Sequence, residues 1–225
     1  MNEPGTTRAR HAALSFSAVV LAAGMSTRMP GKHKLLLPID GQPAVRRTVS
    51  ALIAAGPEEI VIVTGFNAHA IVDALNDLPV RFQFNPHYEE GQVTSVAAGV
   101  AALNAPCSVV LVCLADQVLL CPDDYRELID AYGAMPRGSI LVPTCNGQRG
   151  NPVAFSASYA TEVISGHVNP GCKKLIAEHP DEVFVHEALH DRFALDMDTP
   201  EDYARVLTRL GLGGVTIAVE PRATT

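Results

Sequence analysis

Two groups of charged residues in this sequence could hold a phosphate chain and a metal ion together. The first lies in Leu21-Ala22-Ala23-Gly24-Met25-Ser26-Thr27-Arg28-Met29, which follows an apolar run. Small residues at such a loop let backbone N–H groups approach an anion closely. Arg28 offers a planar fork for phosphate oxygens, and Lys34 adds a point charge a few residues on. Lys32 competes with Lys34 for that role. Two cations plus backbone donors suit a reaction that builds negative charge on an α-phosphate and a leaving pyrophosphate. Composition alone fits an ordinary turn with solvated Lys and Arg equally well. The loop is neither a Walker motif nor the dinucleotide glycine fingerprint.

The second group is acidic. Val109–Leu114 is an apolar run that ends at Ala115-Asp116-Gln117. A carboxylate at the carboxyl end of a buried strand faces the ligand crevice of a parallel sheet. Mg²⁺ takes one or two carboxylates plus phosphate oxygens and water, so Asp116 is a candidate ligand; the alternative is a turn cap before Pro122. Further on stands Asp196-Met197-Asp198-Thr199-Pro200-Glu201-Asp202. In an extended segment Asp196 and Asp198 project to one face, which is costly without a compensating cation. A second metal ligand there competes with a bland reading. In that reading Asp198 or Thr199 caps a helix and Asp196 is solvated.

These residues need a scaffold, and the chain supplies a βαβα rhythm. Strands are expected at Ser17–Ala22, Glu59–Val63, Val80–Phe84 and Ser108–Leu114. Helices are expected at Pro43–Ala55, Asn67–Leu75 (with Asn67 as its cap), Thr94–Leu103 and Pro122–Tyr132. The second half is less regular. Short strands at Ser139–Val142 and Pro152–Phe155 flank the turn Asn146–Gly147. A helix follows Pro170, strands follow at Val183–Val185 and Phe193–Asp196, and a last helix starts near Thr199. The fold class is α/β: a doubly wound, mostly parallel sheet with helices on both faces, Rossmann-like. The start of the third helix, at Gly91, Thr94 and Ser95 behind Asn85-Pro86, presents free N–H groups for a ribose or a base carbonyl.

Leu21–Pro38, with its Leu-Ala-Ala-Gly, Ser-x-Arg-Met and Lys34-Leu35-Leu36-Leu37-Pro38, resembles the signature of the molybdenum cofactor cytidylyltransferase family. The resemblance extends to about Leu207. It implies a nucleotidyltransferase domain over 16–210; the polar residues 1–15 read as a flexible segment, and 211–225, which lack clear periodicity, as a loose tail. It implies that Arg28 and Lys34 bind the triphosphate, and that Asp116 holds the metal with Asp196 or Asp198. Nucleotide contacts would come from Leu21, Ala22, Ala23, Gly24, Asn85, Gly91, Thr94 and Ser95. Arg149-Gly150-Asn151-Pro152 is similar to a family turn near the acceptor, with Asn151 in place of His and without its titratable group. Lys173 could meet an acceptor phosphate. The implied reaction moves CMP from CTP to a molybdopterin-type cofactor with Mg²⁺, and a molybdoenzyme could receive the product. Rival readings are transfer to a sugar or polyol phosphate, a reductase on the same fold, and a cofactor chaperone. Ala23, where guanylyl-transferring relatives usually have Gly, favours CTP over GTP.

Composition narrows the field. The chain has 225 residues, 48% hydrophobic and 18% charged, with a formal net charge of −7. That charge argues against a general nucleic-acid or membrane-surface binder. No apolar stretch reaches the length of a membrane span, and Phe16–Gly24 is too short for a signal peptide. Five cysteines without close pairing suit reduced thiols in a cytoplasmic protein. His186-Glu187-Ala188-Leu189-His190 matches the zinc-protease pattern. It lies between two strand-like segments, too close together for the helix that chemistry needs.

Overall fold

Apolar runs and their punctuation lay down the elements in chain order. Strand β1 (Phe16–Ala22) leads through a loop to the hairpin β2 (Pro38–Ile39) and β3 (Gln42–Pro43). Helix α1 (Ala44–Ala55), strand β4 (Ile60–Thr64), helix α2 (Ala68–Leu75) and strand β5 (Arg81–Phe84) follow. Then come helix α3 (Gln92–Ala101), strand β6 (Val109–Leu114) and helix α4 (Pro122–Gly133). Strands β7 (Ile140–Cys145), β8 (Gln148–Arg149) and β9 (Val153–Ser156) precede two short helices, α5 (Ala160–Ser165) and α6 (Lys173–Glu178). Strand β10 (Val183–Glu187) and helix α7 (Pro200–Arg209) complete the order. The structure, a computed structural model, describes residues 14–29, 31–136, 139–165 and 172–213.

The sheet runs β10-β7-β9-β6-β1-β4-β5, with β8 hooked onto β7. β1 pairs in parallel with both β4 and β6, β4 with β5, and β10 with β7. β9 lies antiparallel between β6 and β7. The mostly parallel α/β architecture expected from the sequence is therefore the observed one. Strands β1, β4 and β6 are buried along nearly their whole length, as a sheet covered on both faces requires. One face packs Val20, Ile62 and Leu111 against Val49 of α1, Ile71 of α2 and Leu128 of α4. The other packs Val19, Val63 and Val110 against Val96 and Val100 of α3 and Leu175 of α6. A third, smaller cluster joins Met29, Leu37, Val118, Met197 and Tyr203. Among the described residues no helix is long and apolar enough to cross a membrane.

Several expectations need correction. Asn67 precedes α2, but it adopts a left-handed backbone and its side chain makes no capping bond. Helix α3 starts at Gln92, two residues before the expected Thr94, because Gly91 (φ 112°) turns the chain into it. Helix α5 was not foreseen. The expected strand at Phe193–Asp196 does not form. Residues Asp191–Ala194 make a 3₁₀ turn instead, because the Phe193 carbonyl is taken by Gln117 Nε2 (2.7 Å) and Asn151 N (2.9 Å). The expected cap at Thr199 does form, as a capping box with Asp202. Residues 211–213 of the expected loose tail are tied back by Gly211 N to Thr208 O and Leu212 N to Leu207 O. Residues 1–13 and 214–225, the bulk of the two expected terminal segments, lie outside the described residues.

Helix α3 approaches the sheet closely at Gly99. A Cβ there would stand 2.2 Å from Val19 Cγ1 and 2.7 Å from Val63 Cγ2. Gly99→Ala gains about 1 kcal/mol of helix propensity but overpacks the core, at about 1–3 kcal/mol. The expected net result is a lower urea midpoint at unchanged slope. A midpoint above wild type would refute the close packing.

Candidate active site

The loops after β1 and β6 end on the same rim of the sheet. They meet α3 and the segment before α7 in a cavity of about 350 Å³, within the range of roughly 300–1,000 Å³ usual for small-molecule sites. Leu21 and Leu114, paired at the carboxyl ends of two adjacent strands, line it. Arg28, Lys34, Asp116, Asp196 and Asp198 all line it. Residues from four separated stretches of sequence are thus brought to one place.

Local structure explains how each arrives. Ser26, in a left-handed conformation (φ 54°), turns the first loop. Its Oγ accepts from Lys34 N (3.2 Å) and its carbonyl from Met29 N (2.9 Å), which ties the Arg28 and Lys34 stretches together. Asp116 leaves β6 with only 8% of its surface exposed. Its carbonyl accepts from Met197 N (3.2 Å), so the backbone between Asp196 and Asp198 is docked directly onto it. Asp202, the partner in the α7 capping box, also accepts from Asp198 N (3.2 Å).

Lys34 Nζ bridges two carboxylates. It donates to Asp116 Oδ2 and to Asp198 Oδ1, the latter at 2.8 Å. Burial works against the charge on Lys34, but Asp116 and Asp198 outweigh it and hold its pKa above the ordinary lysine value. Arg28 Nη2 lies 2.8 Å from Asp198 Oδ2 with its side chain two-thirds exposed, so that pair contributes little to stability. Asp196 is different. Burial, and then the charges of Asp116 and Asp198, push its pKa up to about 6. Asp116 Oδ1 and Asp196 Oδ1 are both buried without a hydrogen-bond partner. Buried anionic oxygens without a partner, on residues that line one cavity, fit a hard dication such as Mg²⁺.

The other expected contacts divide. Leu21, Ala23, Gly24, Gly91 and Ser95 line the cavity. Ala22 is buried behind it. Asn85 is buried and its side chain is spent on Thr94 Oγ1 and Ser95 Oγ (both 2.9 Å) and on His87 N (3.0 Å). These bonds tie Asn85 to the start of α3. Thr94 likewise donates to the carbonyls of His87 and Gly91. No side chain caps α3, and Gly91, Gln92 and Ser95 of its first turn border the cavity. Arg149 on β8, Asn151 after it and Lys173 on α6 are not among the lining residues.

Sequence reasoning missed Met25, Tyr88, Glu89 and Gln92, which also line the cavity. Tyr88 and Glu89 lie in a 3₁₀ turn between Asn85-Pro86 and Glu90-Gly91, segments that the sequence does single out. Tyr88 packs so tightly on the loop after β4 that a Cβ at Gly65 would meet it at 2.6 Å and the Ala23 methyl at 2.9 Å. His186 and Glu187 belong to strand β10, so the zinc-protease helix is absent there.

Residues 18–183 match the family described as the MobA-like NTP transferase domain. Over 85% of its length the chain is 28% identical to nicotine blue oxidoreductase of Paenarthrobacter nicotinovorans, covering 96% of that protein. Over 86% of its length it is 27% identical to a probable molybdenum cofactor guanylyltransferase of Natronomonas pharaonis, covering 98% of it. A solved nucleotidyl transferase from Methanothermobacter superposes with a TM-score of 0.75 at 25% identity, covering 87% of this chain and 97% of that one.

The shifted carboxyl of Asp196 sets a measurable pH dependence. Its folded pKa of about 6 lies above its ordinary value of 3.8. The folded state therefore holds the proton more tightly, and this contribution to stability is present below pH 4 and lost as the pH rises through 6. Asp196→Asn removes the loss. In chelator at pH 7.5 the variant should be more stable than wild type, by at most about 3 kcal/mol. The gain should shrink towards zero near pH 4. Urea unfolding at the two pH values checks this; a gain that does not depend on pH would contradict it.

Proposed function

We propose a specific reaction on the premise that the chain belongs to the MobA-like NTP transferase domain family and is a nucleotidyltransferase. The proposed reaction transfers CMP from CTP to the terminal phosphate of a molybdopterin-type cofactor. The observation that supports it is the convergence of Arg28, Lys34, Asp116, Asp196 and Asp198 in one cavity. Two cations against three carboxylates leave that site net negative. A polyanionic triphosphate would be repelled from it without a divalent cation.

Asp116, with Asp196 and Asp198, would hold Mg²⁺. Bound there, the ion would neutralise phosphate charge and make the α-phosphorus more electrophilic. Lys34 and Arg28 would exchange their carboxylate partners for phosphate oxygens. Backbone donors of the first loop and of the α3 start would orient the phosphates and the ribose. The acceptor phosphate is already a nucleophile at neutral pH, so no side-chain base is required. Its oxygen bonds to the α-phosphorus as the bond to pyrophosphate breaks, and the chain contributes positioning and electrostatics. Arg149, Asn151 and Lys173 are proposed as acceptor contacts. In support, Arg149 is close enough to Cys172, the neighbour of Lys173, for its charge to act on that buried thiol.

CTP is proposed over GTP because Ala23 places a methyl group on the cavity wall, packed beside Gly65 and Tyr88. A second reading is an oxidoreductase, favoured by the relative of that name. Pyrophosphate release from each nucleoside triphosphate, with and without the molybdopterin-type cofactor or a panel of sugar and polyol phosphates, separates these readings. Binding of a nicotinamide cofactor without pyrophosphate release would favour the oxidoreductase.

Under the transferase reading, Asp116→Asn lowers turnover in Mg²⁺ by at least about a hundredfold and leaves the fold intact by circular dichroism. Near-normal turnover would remove Asp116 from the site. Lys34→Ala should weaken CTP use strongly, and Arg28→Lys should restore only part of what Arg28→Ala loses. Unchanged kinetics in Lys34→Ala would move the role to Lys32. Ala23→Gly should relax the CTP-to-GTP ratio of kcat/KM by about tenfold without inverting it. A wild type that prefers GTP would overturn the cytidylyl assignment.

A further inference from the structure

The histidines of the 186–190 segment are used by the fold in another way. Asp124 and Glu127 lie on one face of α4, at positions i and i+3. His186 on β10 and His190 just after it come down onto that face. His186 Nε2 is 2.7 Å from Glu127 Oε1. His190 Nε2 lies 3.0 Å from Asp124 Oδ1 and 3.9 Å from Glu127 Oε2. One donor atom each from Asp124, Glu127 and His190 falls within 4.8 Å of the others.

Neither nitrogen of the His190 ring makes a hydrogen bond, although both are buried from solvent. Nitrogen and carboxylate oxygen thus stand at contact distance without a hydrogen-bond geometry between them. Both carboxylates are also held by other partners. Arg192 Nε donates to Asp124 Oδ2 (2.9 Å) and Nη2 to Oδ1 (2.5 Å), and Cys121 N donates to Oδ2 (2.8 Å). His186 holds one oxygen of Glu127 and leaves the other facing His190. Outer partners that fix ligand orientation in this way accompany metal sites.

We propose that Asp124, Glu127 and His190 form a second metal site, separate from the nucleotide cavity, for a borderline dication of the Zn²⁺ class. His186 and Arg192 position its carboxylates. A nitrogen ligand among carboxylates selects such ions over Mg²⁺. Donor separations of 3.0 to 4.8 Å compare with about 3.3 Å in a tetrahedral zinc shell with bonds of about 2.0–2.1 Å. Adjustment of Glu127, with 43% of its side chain exposed, covers the difference. Hydrolysis in the zinc-protease manner is not part of the proposal. The glutamate that chemistry needs, Glu187, is bound to Thr144 Oγ1 and Asn146 N. The consequence is structural: the ion would join α4 to the 186–196 segment. There the Phe193 ring packs on both histidines and the Phe193 carbonyl is tied to Gln117, beside Asp116.

The test uses the full chain carrying Asp116→Asn and Asp198→Asn, which removes carboxylate donors from the nucleotide cavity. After chelation it is titrated with Co²⁺, a visible analogue of Zn²⁺. One equivalent should bind, show ligand-field absorption of nitrogen and oxygen coordination, be displaced by Zn²⁺ and raise Tm. His190→Ala and Glu127→Gln, each checked for folding by circular dichroism, should weaken binding at least tenfold. Glu127→Gln is conservative and exposed, so it protects the test against misfolding of the histidine variant. No stoichiometric binding, binding unchanged in both variants, or a thiolate-to-cobalt charge-transfer band would overturn the proposal.

Discussion

Three carboxylates facing one cavity repel each other, and the rest of the site is arranged around that fact. Two unit charges about 4 Å apart interact by about 4 kcal/mol at the effective dielectric of a protein surface. Lys34 and Arg28 oppose part of this, and Asp196, whose pKa is raised first by burial and then by the charges of Asp116 and Asp198, carries part of the rest. The remainder is met by apolar burial. Met29 follows Arg28, Leu37 follows Lys34 by three, Val118 follows Asp116 by two, and Met197 separates Asp196 from Asp198. All four apolar residues are buried in one small cluster with Ile39 and Tyr203. Each repelling group is anchored through a sequence neighbour that water expels. The hairpin and α7 serve mainly to complete that cluster.

This anchoring explains which parts of the site the sequence made legible. The charged residues stand in compact local patterns, so residue type and spacing single out Arg28, Lys34, Asp116 and the 196–202 segment as candidates, and the family resemblance is what favours Lys34 over Lys32. The strands of the first half were equally plain, because burial on both faces makes them continuous apolar runs. The misses share a cause in long-range contacts. Phe193–Asp196 has strand-like residues, yet the Phe193 carbonyl is claimed by Gln117 and Asn151, 76 and 42 positions away. Tyr88 carries no local signal, because its value lies in the close approach to Gly65 and Ala23.

That same approach bears on how relatives with different names share one framework. The chain resembles over most of its length both an oxidoreductase and a probable guanylyltransferase. A doubly wound sheet fixes where a ligand sits, and side chains on the rim decide what it is. Ala23 and Tyr88 line the cavity with Gly65 packed behind them, three different loops in contact, so a methyl group gained or lost at one must be accommodated by the others. Substrate choice can then drift through small changes in volume while the charged machinery stays in place.

The antiparallel strand β9 carries a consequence for synthesis on the ribosome. Strand β6 finds its partner β1 as soon as it emerges, but its other edge waits for residues 153–156. Until then a growing chain that already holds Asp116 exposes an apolar edge with open hydrogen-bonding groups, the kind of edge that recruits other chains. Strand β7 cannot close it, since β7 reaches β6 only through β9. A nascent chain paused between residues 116 and 153 would therefore be the form most prone to aggregate, and a chaperone would have most reason to attend it there.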